Sequence, residues 1–90
     1  MTYKRVDSIQ AEIVVALRQC GASVTILAAV GGGVPDLLIG WMGSNYLLEL
    51  KSSEKSRLTP DEEVFFADWR GQCAIVHTPE EALQVLGALT

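Results

Sequence analysis

Apolar residues recur at helical spacing over residues 7–20, DSIQAEIVVALRQC, where Ile9, Ile13, Ala16, Leu17 and Cys20 form one stripe. Asp7 or Ser8 is the expected cap of this helix, and Gly21 its terminator. Residues 23–30, SVTILAAV, begin with β-branched residues and predict a strand, which the triple glycine 31–33 breaks. Residues 36–41, DLLIGW, and 46–51, YLLELK, read as two short strands. The turn-forming MGSN between them predicts an antiparallel hairpin. After the polar SSEKSR, Thr59 and Pro60 open a second helix that runs to Arg70, with Asp61, Glu62 and Glu63 at its positive end. Val64, Phe65, Phe66, Ala67 and Trp69 supply its apolar surface. QCAIVH predicts a fourth strand, and TPEEALQVLGAL a last helix capped by Thr78. The order αβββαβα predicts an α/β fold, a small mixed β-sheet flanked by helices.

The chain has 90 residues, enough for one domain spanning 1–90, and 49% of them are hydrophobic, so a core is within reach. No apolar run is long enough to span a bilayer, and MTYKRVDSIQ lacks the apolar centre of a signal peptide, so a cytoplasmic setting is expected. Cys20 and Cys73 have no C-x-x-C spacing and only His77 to join them, which makes a poor zinc site; buried, reduced thiols are expected. The net charge of −4 argues against broad nucleic-acid binding, because phosphates attract Lys and Arg. A divalent cation held by carboxylates would reverse that sign locally.

The candidate chemistry lies in LLELK. Residues two apart in a strand share a face, so Glu49 and Lys51 point one way and Leu48 and Leu50 the other. Taken alone, this is a half-buried strand with a solvated charged face. The hairpin adds a partner. With a turn centred near Gly43 and Ser44, Asp36 faces Lys51 and Glu49 faces Leu38. Asp36 and Glu49 then become diagonal neighbours within roughly 7–8 Å. Two carboxylates that close call for a hard cation such as Mg²⁺, with the Leu50 carbonyl as a further oxygen. Lys51 beside them would orient a water or stabilise charge in the transition state of phosphodiester hydrolysis.

Gly33-Val34-Pro35-Asp36, an apolar strand, a turn and Glu49-Leu50-Lys51 together resemble the G-x-P-D…E-x-K signature of PD-(D/E)XK nucleases. The form is similar to the virus-type replication-repair nuclease branch (VRR-NUC), in the minimal stand-alone version of phages and bacteria. Ile9-Gln10-Ala11-Glu12-Ile13 resembles that branch's N-terminal helix motif, and Leu58-Thr59-Pro60-Asp61-Glu62 its second helix start. The resemblance implies a restriction-endonuclease-like αβββαβ core. It also implies a Mg²⁺- or Mn²⁺-dependent DNA endonuclease of the DNA-repair kind, structure-specific on branched or junction DNA like a Holliday-junction resolvase. A homodimer in a bacterial or phage-infected cell follows from it. Asp36 and Glu49 become metal ligands with the Leu50 carbonyl, and Lys51 the catalytic lysine. Glu12 becomes the N-terminal acid, with Gln10 as its alternative. Glu62 stands where the wider branch has Gln, and it also reads as an acid favoured by the helix start.

Lys55, Arg57 and Ser52, with Lys4 and Arg5, are candidate DNA contacts or plain solvated surface. His77 reads as structural; Trp41, Phe65, Phe66 and Trp69 read as core, with stacking on bases as their alternative. Nucleotide binding through GGGVPD lacks both the G-K-[S/T] of a P-loop and the spacing of G-x-G-x-x-G. The alternative on the same fold is a non-catalytic module that binds nucleic acid or protein. Metal-dependent nicking of DNA separates the two.

Overall fold

The computed structural model describes residues 6–89. Lys4 and Arg5 fall outside them. The elements are α1 (Val6–Gln19), β1 (Ser23–Ile26), β2 (Leu37–Trp41), β3 (Ser44–Leu50), α2 (Pro60–Asp68), β4 (Ala74–Val76) and α3 (Pro79–Leu86). The chain is thus a mixed α/β domain in the order αβββαβα.

The four strands form one sheet in the order β1-β2-β3-β4. The first three are antiparallel and β4 runs parallel to β3. That parallel pairing requires a crossover, and α2 lies within it. Ile9, Ile13, Val14 and Leu17 of α1 and Ala82 and Leu86 of α3 pack on Leu37, Ile39, Leu48, Leu50 and Val76 from one face of the sheet. Alternation along the strands leaves Leu38, Leu47 and Glu49 on the other face.

Helix ends follow local chemistry. Gly21, at φ 97°, lets Ala22 N–H donate to the Leu17 carbonyl and Gly21 N–H to the Arg18 carbonyl, closing α1 in a Schellman motif. Thr59 and Glu62 cap α2 reciprocally: Glu62 N–H donates to Thr59 Oγ1 and Thr59 N–H to Glu62 Oε1.

Several expectations are corrected. Helix α1 already includes Val6, so Asp7 and Ser8 lie inside it rather than cap it. Strand β1 ends at Ile26, because the turn in which Val30 N–H donates to the Leu27 carbonyl begins there. The aromatic residues of α2 are not core: no residue of this helix is buried, and Trp69 just beyond it is 46% exposed. The hairpin register also differs. Met42 and Gly43, at φ 50° and 82°, form a two-residue turn whose twist suits the flanking strands. The centre of the hairpin therefore moves back by one residue and every pair by two. Leu38 faces Leu47 and Leu37 faces Leu48, so Glu49 does not face Leu38 nor Asp36 Lys51.

Both cysteines are free thiols, half-buried rather than buried. Burial pushes the Cys73 thiol up to about 11, helped by the neighbouring charge of Glu49. No helix among the described residues is long and apolar enough to cross a membrane.

Candidate functional site: a buried acid between Asp36, Glu62 and Lys51

The segment between β1 and β2 carries Gly31, Gly32 and Gly33 at φ 75°, 66° and 79°. Three consecutive left-handed residues are open only to glycine without strain. Gly33 also lies against α2, where a Cβ would collide with the Asp61 carbonyl and the Glu62 nitrogen. This loop delivers the buried Pro35 and then Asp36. Asp36 is held twice: its carbonyl accepts from Leu27 N–H at 2.7 Å, and its Oδ2 accepts from Leu50 N–H at 2.8 Å.

One rung beyond the Leu37–Leu48 pair, the register sets Asp36 opposite Glu49. Directly opposed residues have Cβ atoms about 4.5–5.5 Å apart, closer than the diagonal arrangement expected from the sequence. The shift of two residues kept both carboxylates on one face; a shift of one would have separated them.

Glu49 is 2% exposed and is the one charged residue of the described core. Its Oε1 is buried with no hydrogen-bond partner, and its Oε2 lies 3.8 Å from Lys51 Nζ. Burial above all, then the charge and side-chain contact of Asp36, then those of Glu62, push the Glu49 carboxyl up to about 9. The strand face that would be solvated in an isolated strand is therefore closed over its acid.

Lys51 Nζ donates to Glu62 Oε1 at 2.7 Å. Desolvation works to lower its pKa, but the hydrogen bond and charge of Glu62 and the charges of Glu49 and Asp36 outweigh it and hold Lys51 above its ordinary value. Lys51 is thus a firm ammonium. Burial opposes ionisation of Glu62, yet the Lys51 and Thr59 hydrogen bonds prevail and lower its pKa. Glu62 caps α2 and pairs with Lys51 through the same oxygen, so a single carboxylate carries both roles weighed for it from the sequence. The Thr59-x-x-Glu62 spacing signalled the cap; nothing local signalled the reach to Lys51.

The backbone of Lys51 is fixed as well. Its N–H donates to the Val76 carbonyl at 3.1 Å, and its carbonyl lies 3.0 Å from His77 Nδ1. A carbonyl only accepts, so His77 Nδ1 carries the proton. His77 is structural, as expected, and its task is to anchor the end of β3.

The structure brings Asp36, Glu49, Lys51 and Glu62 together, with Leu50 held to Asp36 through its N–H. Both backbone groups of a strand residue point to the same edge, so the Leu50 carbonyl also faces the β2 side. Glu12 is exposed on α1 and lines a neighbouring cavity of about 350 Å³ with Ser52 and His77. Gln10 is half-buried on α1. Ser52 Oγ is 2.9 Å from Ser56 Oγ; Lys55 and Arg57 are exposed in the same loop.

No family model, curated protein or solved structure matches the chain. The function therefore has to be argued from the site.

Among the described residues, no three His, Cys, Asp or Glu side chains are arranged to hold a metal ion by themselves. The donor set expected here is smaller: two carboxylates and one carbonyl. Its chemistry fits a hard divalent cation, which accepts one or two carboxylates and completes its shell with water. The orphaned Glu49 Oε1 points the same way, because a buried carboxylate oxygen without a donor is costly unless a cation or proton meets it.

Proposed function

We propose that the chain is a Mg²⁺- or Mn²⁺-dependent DNA endonuclease that hydrolyses phosphodiester bonds. In this reading it is a minimal VRR-NUC-like member of the PD-(D/E)XK nucleases, acting on branched or junction DNA. The observation that carries the reading is the buried Glu49, with an unpartnered Oε1 and a raised pKa, set against Asp36 and beside the Lys51 ammonium. A structural carboxylate would be paired or exposed; one kept buried and unsatisfied is a functional-site signature.

Asp36, Glu49 and the Leu50 carbonyl would hold the cation. When bound, it supplies polarisation of the phosphodiester and a bound water of lowered pKa. The remaining work falls to the chain. Asp36 keeps its second oxygen on Leu50 N–H, which orients the carboxylate before any ligand arrives. Lys51 remains charged and is thus an electrostatic donor to a phosphate oxygen, not a base. Glu62 restrains the ammonium beside the acids. The same reading includes a homodimer in the cytoplasm of a bacterial or phage-infected cell. Val64 on α2, 59% exposed, and Ile75 on β4, 41% exposed, are candidate interface residues.

The test is nicking of supercoiled and branched DNA in Mn²⁺ or Mg²⁺, wild type against Lys51→Ala. Absence of metal-dependent cleavage on every DNA form tested would sink the enzyme reading. The net charge of −4 and the neutralisation of Lys51 by Glu62 favour the second reading, a non-catalytic binding module. DNA binding that leaves every substrate intact would select it.

A further inference from the structure

We propose that the groove between α2 and the outer face of β2–β3 is a subsite for an unpaired nucleobase of a DNA strand whose phosphate lies at Asp36 and Glu49. This inference rests on the phosphodiester reading above. The groove encloses about 470 Å³, within the range of small-ligand sites. Leu38 and Leu47, which face each other across the hairpin, form its floor. Leu38 is two residues from Asp36, and Leu47 two from Glu49, so all four share one sheet face. The apolar floor therefore shares its sheet face with the acid pair, two residues along each strand.

Phe65 and Trp69 form the wall. Their rings stack at a centroid distance of 5.1 Å and 17° between planes. Trp69 is pinned, because its Nε1 donates to the Gln72 carbonyl at 3.0 Å. Gln72 is itself locked: its Oε1 accepts from Leu47 N–H and its Nε2 donates to the Leu47 carbonyl. An aromatic surface fixed this way needs little ordering when a ring stacks on it. Nevertheless, Trp69 is 46% exposed and Leu38 38% exposed.

No lining residue of the groove carries a charge. That disfavours a phosphate and suits a neutral, flat ring, with the exposed Asn45 at the rim to meet a polar base edge. Lys51, beside the acids, is the group suited to the attached phosphate. A nucleotide divides its chemistry in the same way, a charged phosphate joined to an uncharged ring. A paired base would have to leave its stack to enter, which makes unpaired positions in branched DNA the favoured substrate.

The experiment uses Trp41→Phe, which leaves Trp69 as the one tryptophan. Short oligothymidylate and an oligomer of equal length with abasic tetrahydrofuran residues are titrated in Ca²⁺ buffer, with Trp69 emission and anisotropy as readouts. The base-bearing oligomer should quench Trp69 and bind roughly 5- to 100-fold more tightly. Leu38→Gln should erase that preference with the circular dichroism unchanged. Equal affinity for the two oligomers, or no binding of either, overturns the subsite. Trp69 emission that changes with protein concentration alone, together with a dimer in sedimentation, gives the groove to a second copy and also overturns it. Base-dependent binding without Mn²⁺-dependent cleavage supports the subsite while sinking the nuclease reading. Cleavage with the same KM on base-bearing and abasic strands does the reverse.

Discussion

Exchange of Glu49 for glutamine removes the ionisable group and keeps the side chain's shape. The folded carboxyl titrates near 9, against 4.5 for the free group. The folded state therefore binds this proton more tightly than the unfolded state, and stability falls as pH rises from about 4.5 to about 9. Each pH unit in that window costs about 1.4 kcal/mol, so about 4 kcal/mol is lost by about pH 7.5. The neighbouring groups act outside the window. Glu62, with its lowered pKa, contributes stability that is lost only as pH falls below 4.5, and Lys51 contributes stability that is lost only as pH rises above 10.5.

Glu49→Gln in EDTA at about pH 7.5 should thus be about 4 kcal/mol more stable than wild type, a large share of the ~5–15 kcal/mol of a typical domain. The assay is urea unfolding followed by circular dichroism across the pH range. With a urea slope of about 1–2 kcal/mol/M, the midpoint should rise by about 2–4 M. Wild type should lose stability steadily towards alkaline pH, and the variant should hold level. Saturating Mn²⁺ should then stabilise wild type and not the variant, because binding to the native state alone raises its stability. A wild-type profile level between about pH 5 and 9, or a variant less stable in EDTA, would refute the reasoning. Either result would mean that Glu49 is an ordinary satisfied acid.

Lys51→Ala should reduce metal-dependent DNA cleavage by about 10²–10³-fold, as loss of an electrostatic donor does, with Mn²⁺ affinity by calorimetry retained. Gly33→Ala should cost about 2 kcal/mol or more in urea unfolding, because the site combines a positive φ with contact against the Asp61 backbone. Thr59→Ala should cost about 1 kcal/mol through loss of the α2 cap. Glu62→Gln removes a negative charge that raises Glu49, so the Glu49 carboxyl should titrate at lower pH when followed by carbon NMR. An unchanged Glu49 titration would refute contact between the two acids.

Most of the architecture was legible because it rests on local signals. The stripe of α1 and the Gly21 that ends it are local features, as is Thr59 before Pro60. What failed was equally local in cause. Strand β1 stops short of Leu27 because the ten residues from Leu27 to Asp36 must turn through three left-handed glycines to enter β2. The aromatic residues of α2 read as core because Phe and Trp usually are. A 90-residue chain with two helices on one face of the sheet has little material left to cover the other.

The site divides along the same line. Asp36, Glu49 and Lys51 were readable because strand parity does not depend on register beyond an even shift, so an error of two residues left all three on one face. The parity argument gives the face but not its burial. The start of α2 meets that face through two contacts far apart in sequence: Gly33 against Asp61, and Lys51 on Glu62. The glycine that opens the way for Asp36 is thus also the one that lets α2 close over its partner. An alanine there would strain the loop and lift the lid of the acid pair together. This predicts that Gly33→Ala lowers the Glu49 pKa by readmitting water, and that the same variant shows a flatter alkaline loss of stability than wild type.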